Sequence, residues 1–200
     1  MSAQGKEMFV LFGFDMEPDI GSWTRTYHGL KEGTPHILNI LKKRGVRATF
    51  FFTAEAAVKH PGVLKMVKRN SHEIGCHGYE HESFGPELFE MPMVGSLPKW
   101  EIYGRIAKAT EIVKRIAGNR PVSFRGARLF GSNEMMEVLE KLGYRVDSTY
   151  PSYYYEKHIL PFHPSVNNWT RSGRMNILEV PLFADLTARS KDPLRRDRDQ

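Results

Sequence analysis

Short runs rich in β-branched and aromatic residues alternate along this chain with amphipathic segments that stop at glycine. The strand-like runs are MFVLFGFD (8–15), VRATFFFT (46–53), HEIGC (72–76), VSFRGA (122–127), YRVDS (144–148) and ILEVPLF (177–183). Between them, Thr34-Pro35 reads as an N-cap with proline in the first turn, followed by Ile37, Leu38, Ile40 and Leu41 and stopped by Gly45. Pro61 opens a helix carrying Val63, Leu64 and Val67. Residues 98–117 predict a long helix with Ile102, Ile106, Val113 and Ile116 on one side, closed by Gly118. Ser132 caps a helix with Met135, Met136, Leu139 and Leu142, ended by Gly143. Strands alternating with helices in this way predict an α/β fold with a parallel sheet.

Two hundred residues suffice for one domain, and a 40% hydrophobic content with twelve Phe and eight Tyr suffices for its core. A single cysteine, Cys76, excludes an intrachain disulfide and fits a reducing compartment, where it reads as a small core residue. The apolar run from Met8 to Phe14 is seven residues, broken by Gly13, and is too short to span a membrane. It has no signal-cleavage pattern and reads as a buried strand, so the expected location is cytoplasmic. The formal charge of +6 is compatible with anionic partners. Much of it, however, lies at helix-surface positions such as Lys42, Lys43, Arg44, Lys108, Lys114 and Arg115, and neither nucleic acid nor membrane is expected as a partner.

The residues with chemistry lie where the strands end: Asp15, Cys76-His77, Arg125 and Asp147. Parallel α/β sheets place their sites at that end. His77 and His81 are four apart, the spacing that puts two side chains on one face of a helical turn. Among eight histidines such a pair is weak by itself. Asp15, Glu17 and Asp19 alternate after the first strand, and two imidazoles with one carboxylate can hold a divalent cation with positions left open. A second carboxylate can then act as general base toward a water. His28, His36 and His60 read as surface or loop residues, and His72 as a local hydrogen-bonding group. Trp23 and Tyr150 are candidate substrate contacts, and Trp169 shares the aromatic character that would suit a sugar.

FDME, ATFFFT, HEIGCHGYEH, FRGARLFGSNE and LGYRVDST, in this order over roughly residues 8–185, resemble the polysaccharide deacetylase family (NodB-homology, carbohydrate esterase family 4 domains). The wording D-x-E and H-G-Y-x-H is nearest the peptidoglycan deacetylase-like and allantoinase-like branch. The resemblance implies a distorted (β/α)7-type barrel over residues 1–185, followed by a charged tail at 186–200. It assigns Asp15 as general base and Glu17 as metal carboxylate, with Asp19 as its substitute. His77 and His81 become metal ligands, and Arg125 the group that orients and tunes the base. It further implies an oxyanion donor in the backbone N–H near Arg128, and in Asp147 a carboxylate supporting the site from behind. The implied cofactor is a divalent metal ion, zinc first, with cobalt or nickel as substitutes.

This chain departs from the pattern in three places. Ala127 stands where the family carries proline, and Gly78 where it carries a hydroxyl residue. The family's last motif also places a histidine, the general acid, after a final strand. Only a charged segment follows ILEVPLFADLT here, and His163 precedes that strand, so the barrel is expected to lack its last strand and its acid, either because the domain is C-terminally truncated or because a partner chain completes the site. The expectation is a metal-dependent hydrolase of non-peptide C–N bonds that de-N-acetylates a sugar or oligosaccharide. The alternatives are an allantoinase-like hydrolase of a small cyclic amide and a catalytically impaired metal-binding module. A homo-oligomer, or a partner chain completing the barrel, is the expected assembly.

Overall fold

A computed structural model describes residues 9–91 and 94–183. The tail at 186–200, the boundary at 185 and the start of the first apolar run at Met8 lie outside the described residues.

The strands β1 (Gly13–Met16), β2 (Thr49–Phe52), β3 (Glu73–Cys76), β4 (Ser123–Phe124) and β5 (Val146–Asp147) pair in sequence order. An antiparallel hairpin, β6 (Pro164–Ser165) and β7 (Asn168–Ser172), lies apart from that sheet. β8 (Leu178–Glu179) then returns beside β5. All pairings within the six-stranded sheet are parallel. The helices are α1 (Thr34–Arg44), α2 (Ala54–Lys59), α3 (Pro61–Arg69), α4 (Lys99–Ala117), α5 (Asn133–Lys141) and the short α6 (Ser152–Tyr155). The long α4 packs against α2, α3 and α5.

Side chains alternate across a strand, so register sorts them between two faces. One register row runs Met16, Phe52, Cys76, Phe124, Asp147, Glu179. Its apolar members, with Phe50 and Ile74, bury against Leu64, Val67, Ile102, Ile106, Val113, Met135 and Leu139 of the helices. The other parity, including Gly13, Phe51, Ser123, Arg125, Ser148 and Val180, lines a cavity of about 820 Å³ inside the curled sheet. The α/β fold and its parallel sheet are therefore as the alternation predicts. Among the described residues the barrel is not closed: β1 and β8 are both sheet edges.

That open edge corrects the reading of the first apolar run as a buried strand. Pairing begins only at Gly13, and Phe9, Val10, Leu11 and Phe12 are exposed, Phe9 by 81%. Hydrophobicity alone does not bury a strand that has a neighbour on one side only.

The N-cap at Thr34 is also corrected. The helical backbone starts earlier, as a π-turn at Gly29–Gly33, and Thr34 lies inside, donating its hydroxyl to Leu30 O at 2.6 Å. The cap comes from a distance, because the Asp19 carboxylate accepts from His28 N at 3.0 Å and Gly29 N at 2.8 Å. The glycine stops hold at Gly45, Gly118 and Gly143, each at positive φ. Helix α2 and the β6–β7 hairpin carry no periodic signal long enough to be read in advance.

Ser132 is the cap the sequence predicts for α5. Its Oγ accepts from Met135 N at 3.1 Å and donates to Phe84 O at 2.6 Å. Ser132→Ala should therefore lower stability by about 1–2 kcal/mol. Urea unfolding should show this as a lower midpoint at unchanged slope.

Candidate metal centre and active site

The bore-facing parity carries Asp15 near the end of β1 and continues past the strand ends with Glu17 after β1, His77 after β3 and Arg125 after β4. These are the positions where unpaired backbone and converging strands leave room for chemistry. Glu17 Oε2 lies 3.0 Å from His77 Nε2 and 2.7 Å from His81 Nε2. One ligand atom from each of the three residues falls within 4.8 Å of the other two.

The histidines meet for a reason other than the helical spacing that draws attention to them. Residues 77–81 form a loop, with Gly78 at φ 82° and His81 itself at φ 64°. The Glu82 carboxylate ties that loop by accepting from Tyr79 N and Glu80 N. The imidazole rings end 5.2 Å apart. Gly21 permits the approach, since a Cβ there would sit 3.0 Å from His81 Cε1.

The donor chemistry fits a cation. His77 Nδ1 lies 2.7 Å from Arg125 O, and a carbonyl only accepts, so Nδ1 carries the proton. In the neutral ring, Nε2 then presents its lone pair to the Glu17 carboxylate, and two acceptors at that distance require a positive charge between or on them. Burial by itself would lower the pKa of His77, but Asp15 and Glu17 more than offset it and the net direction is upward. Burial would likewise raise the Glu17 carboxyl, and its hydrogen bonds to His77 and His81 hold it well below the usual carboxylate range. His81 is shifted the other way, downward, because burial outweighs the carboxylate beside it. Asp19, the substitute carboxylate, is occupied as the cap of the 29–33 turn.

Asp15 lies beside the cluster with its two oxygens in different roles. Oδ1 accepts from Arg125 Nη1 at 2.8 Å, while Oδ2 is 3.9 Å from His77 Nε2. Arg125 is itself buried and held on all sides. Its Nε donates to Ser148 O at 3.1 Å, its Nη2 to Ser148 Oγ at 3.2 Å, and its guanidinium lies 4.4 Å from the Phe51 ring centroid. It needs Gly13, because a Cβ there would come within 2.6 Å of Nη2.

Arg128 has φ 56° and is followed by Leu129 at φ 61°, two residues in a conformation that favours glycine. Its side chain reaches His81 O, Ser83 Oγ and Ser22 Oγ, fastening three loops around the cluster. The loop where Ala127 replaces proline is thus held by side-chain bonds. Trp23 is half exposed, its ring centroid 5.8 Å from that guanidinium, at the rim of the site.

Two aromatic residues, Tyr150 and Trp169, are placed elsewhere than expected. Tyr150 is fully buried and cannot touch a substrate from its position. It is the centre of an aromatic cluster with Tyr155, His158, Phe162 and Trp169. Trp169 is buried in the same cluster and so cannot serve as an open sugar platform. Asp147 is fully buried on the helix-facing side of the sheet, and its reach toward the site runs through Thr149. Two groups that matter locally, Ser22 and Ser148, carried no sequence signal, since isolated serines are common in loops. His163 bonds Ile177 O through Nδ1 at 3.0 Å.

The carboxyl end of an α/β sheet thus carries two histidines, a glutamate and an arginine-held aspartate. The sequence model of the family described as polysaccharide deacetylase matches residues 3–146. The chain belongs to the polysaccharide deacetylase family. It is 34% identical over 112 residues to a peptidoglycan-N-acetylglucosamine deacetylase of Bacillus cereus, covering 56% of this chain and 33% of that protein. A peptidoglycan deacetylase of Helicobacter pylori is 26% identical over 155 residues, covering 71% of this chain and 49% of its own length. The chain thus spans between a third and a half of these relatives. The fold superposes on a candidate polysaccharide deacetylase from Mycobacterium smegmatis with a TM-score of 0.69 at 23% identity, covering 88% of this chain and 59% of the other.

If Glu17 and not Asp19 closes the cluster, Glu17→Gln should abolish stoichiometric zinc binding, measured by calorimetric titration of chelator-treated protein. Asp19→Asn should leave the stoichiometry at one and lower the melting temperature only modestly.

Proposed function

We propose that this domain is a metal-dependent hydrolase that removes the acetyl group from an N-acetylated sugar or oligosaccharide. The observation that carries the reading is the juxtaposition of the Glu17–His77–His81 donors with Asp15, one oxygen of which is fixed by Arg125 while the other faces the donors. The relatives' printed activities, on peptidoglycan and its N-acetylglucosamine, supply the substrate class.

A divalent cation held by these three residues, zinc or in its place cobalt or nickel, would supply a Lewis acid for the amide carbonyl and lower the pKa of a water. Asp15 is then the base that takes the proton as that water attacks the acetyl carbon. Arg125 keeps Asp15 Oδ2 aimed at the reacting centre and balances the carboxylate's charge. The backbone N–H near Arg128, in its left-handed turn, is the proposed donor to the tetrahedral oxyanion, a contact worth ~3 kcal/mol when well placed. Collapse breaks the C–N bond, giving acetate and the free amine, and Asp15 can return its proton to that amine. Trp23 at the rim offers an apolar face on which a sugar ring can stack.

The sheet edge left open between β1 and β8 among the described residues favours a second reading, a metal-binding domain without turnover. Acetate release from N-acetylglucosamine oligomers separates the two. Wild type should turn over, and Asp15→Asn should keep its zinc while losing about 10²–10⁴-fold in kcat. Full zinc occupancy with no acetate from wild type would establish the second reading. Release of product from a cyclic amide alone would move the substrate to the allantoinase-like class.

A further inference from the structure

Two carboxyl groups lie buried together outside the cluster described above. Asp147 on β5 and Glu179 on β8 are register partners, so their side chains project side by side from the helix-facing surface of the sheet. Both are fully buried, in the row otherwise filled by Met16, Phe52, Cys76 and Phe124. Among the described residues neither forms an ion pair, since the nearby buried guanidinium of Arg125 is directed to Asp15 and Ser148. Glu179 Oε1 accepts from Tyr150 N at 2.9 Å, and among the described residues Oε2 has no donor. Asp147 accepts from Thr149 Oγ1 at 2.8 Å and from Thr149 N at 3.3 Å.

Two adjacent carboxylates cannot both stay ionised where neither water nor a cation reaches them; one proton shared between them removes the conflict. With the proton on Glu179, its Oε2–H becomes the donor that Asp147 can accept, and the unpartnered oxygen is explained. Burial raises both carboxyls, and the facing Asp147 raises Glu179 further.

The neighbours of this pair lead directly to the active site. Ser148, next to Asp147, takes both Nε and Nη2 of Arg125 and donates its own hydroxyl to the carbonyl of Val180, next to Glu179. Thr149 Oγ1 donates to Asp147 and accepts from Gly126 N, the residue after Arg125, at 2.8 Å. We propose that Glu179 is a positioning residue: as a neutral acid hydrogen-bonded to Asp147, it locks the Ser148–Tyr150 turn that aims Arg125 at Asp15. The catalytic part of this proposal rests on the hydrolase reading; the proton sharing and the hold on Arg125 do not.

Two substitutions test it. Glutamine can reproduce both contacts, accepting from Tyr150 N and donating to Asp147. Leucine has similar bulk and leaves the Asp147 charge without a donor. Glu179→Gln should keep kcat within about threefold of wild type with a superimposable pH profile, whereas Glu179→Leu should lose at least about tenfold in kcat at little changed KM and full zinc stoichiometry. Two readouts do not need turnover. Infrared spectra at neutral pH should show one protonated-carboxyl band in wild type that is absent from Glu179→Gln. The Arg125 Nε–H resonance should stay sharp in the glutamine variant and broaden or vanish in the leucine variant. Absence of the carboxyl band, an equal loss in both variants, or an unchanged Arg125 signal in folded Glu179→Leu would overturn the proposal. If wild type releases no acetate but band and resonance behave as stated, the hydrolase reading has failed and the proton-sharing lock stands.

Discussion

Arg125 is the interaction on which the arrangement of the site depends. Its carbonyl fixes the tautomer of His77, and its guanidinium fixes Asp15 and the turn after β5. One residue therefore connects β1, β3, β4 and β5 at their carboxyl ends. A buried cation is costly unless its donors are satisfied, and breaking such a network costs far more than the pair itself contributes. Every donor group of this side chain that the structure pairs goes to an oxygen, and the Phe51 face covers the planar ion. The requirement extends into the sequence as Gly13, where any side chain would occupy the space of the guanidinium.

The division of the sheet into two faces explains which polar residues act and how. The bore-facing parity carries Asp15, Glu17, His77, Arg125 and Ser148, so these groups meet without help from the helices. The opposite parity is a hydrophobic row, and the two acids on it, Asp147 and Glu179, act on the site only through the backbone and Thr149. Among the described residues the same sheet is open between β1 and β8, which leaves the bore accessible along one side and the apolar residues before β1 uncovered.

Much of this was legible in the residues. Helix ends were marked by Gly45, Gly118 and Gly143 because a left-handed stop is a local requirement that glycine meets at least cost. The strand ends were legible because apolar runs stop where a polar residue begins, and that placed Asp15, His77 and Arg125 correctly. The i,i+4 histidine spacing was informative for a reason it did not itself supply: the rings meet in a loop shaped by Gly78 and Glu82. What the sequence hid was tertiary. Asp19 differs from Glu17 only in which backbone amides lie near it, and an aromatic at 150 looks the same whether it faces a substrate or four other rings. Glu179 sits within an apolar run, and only the register of β8 against β5 shows that it faces another acid.

The central claim is that Glu17, His77 and His81 together hold one divalent cation beside an arginine-fixed aspartate. X-ray absorption at the zinc edge of the loaded protein tests it most directly, because it reports the ligand atoms themselves. The account predicts a first shell of two imidazole nitrogens and the remainder oxygen, reduced to one imidazole in His81→Ala. A sulfur ligand, which would bring in the buried Cys76, or a shell without imidazole would contradict it.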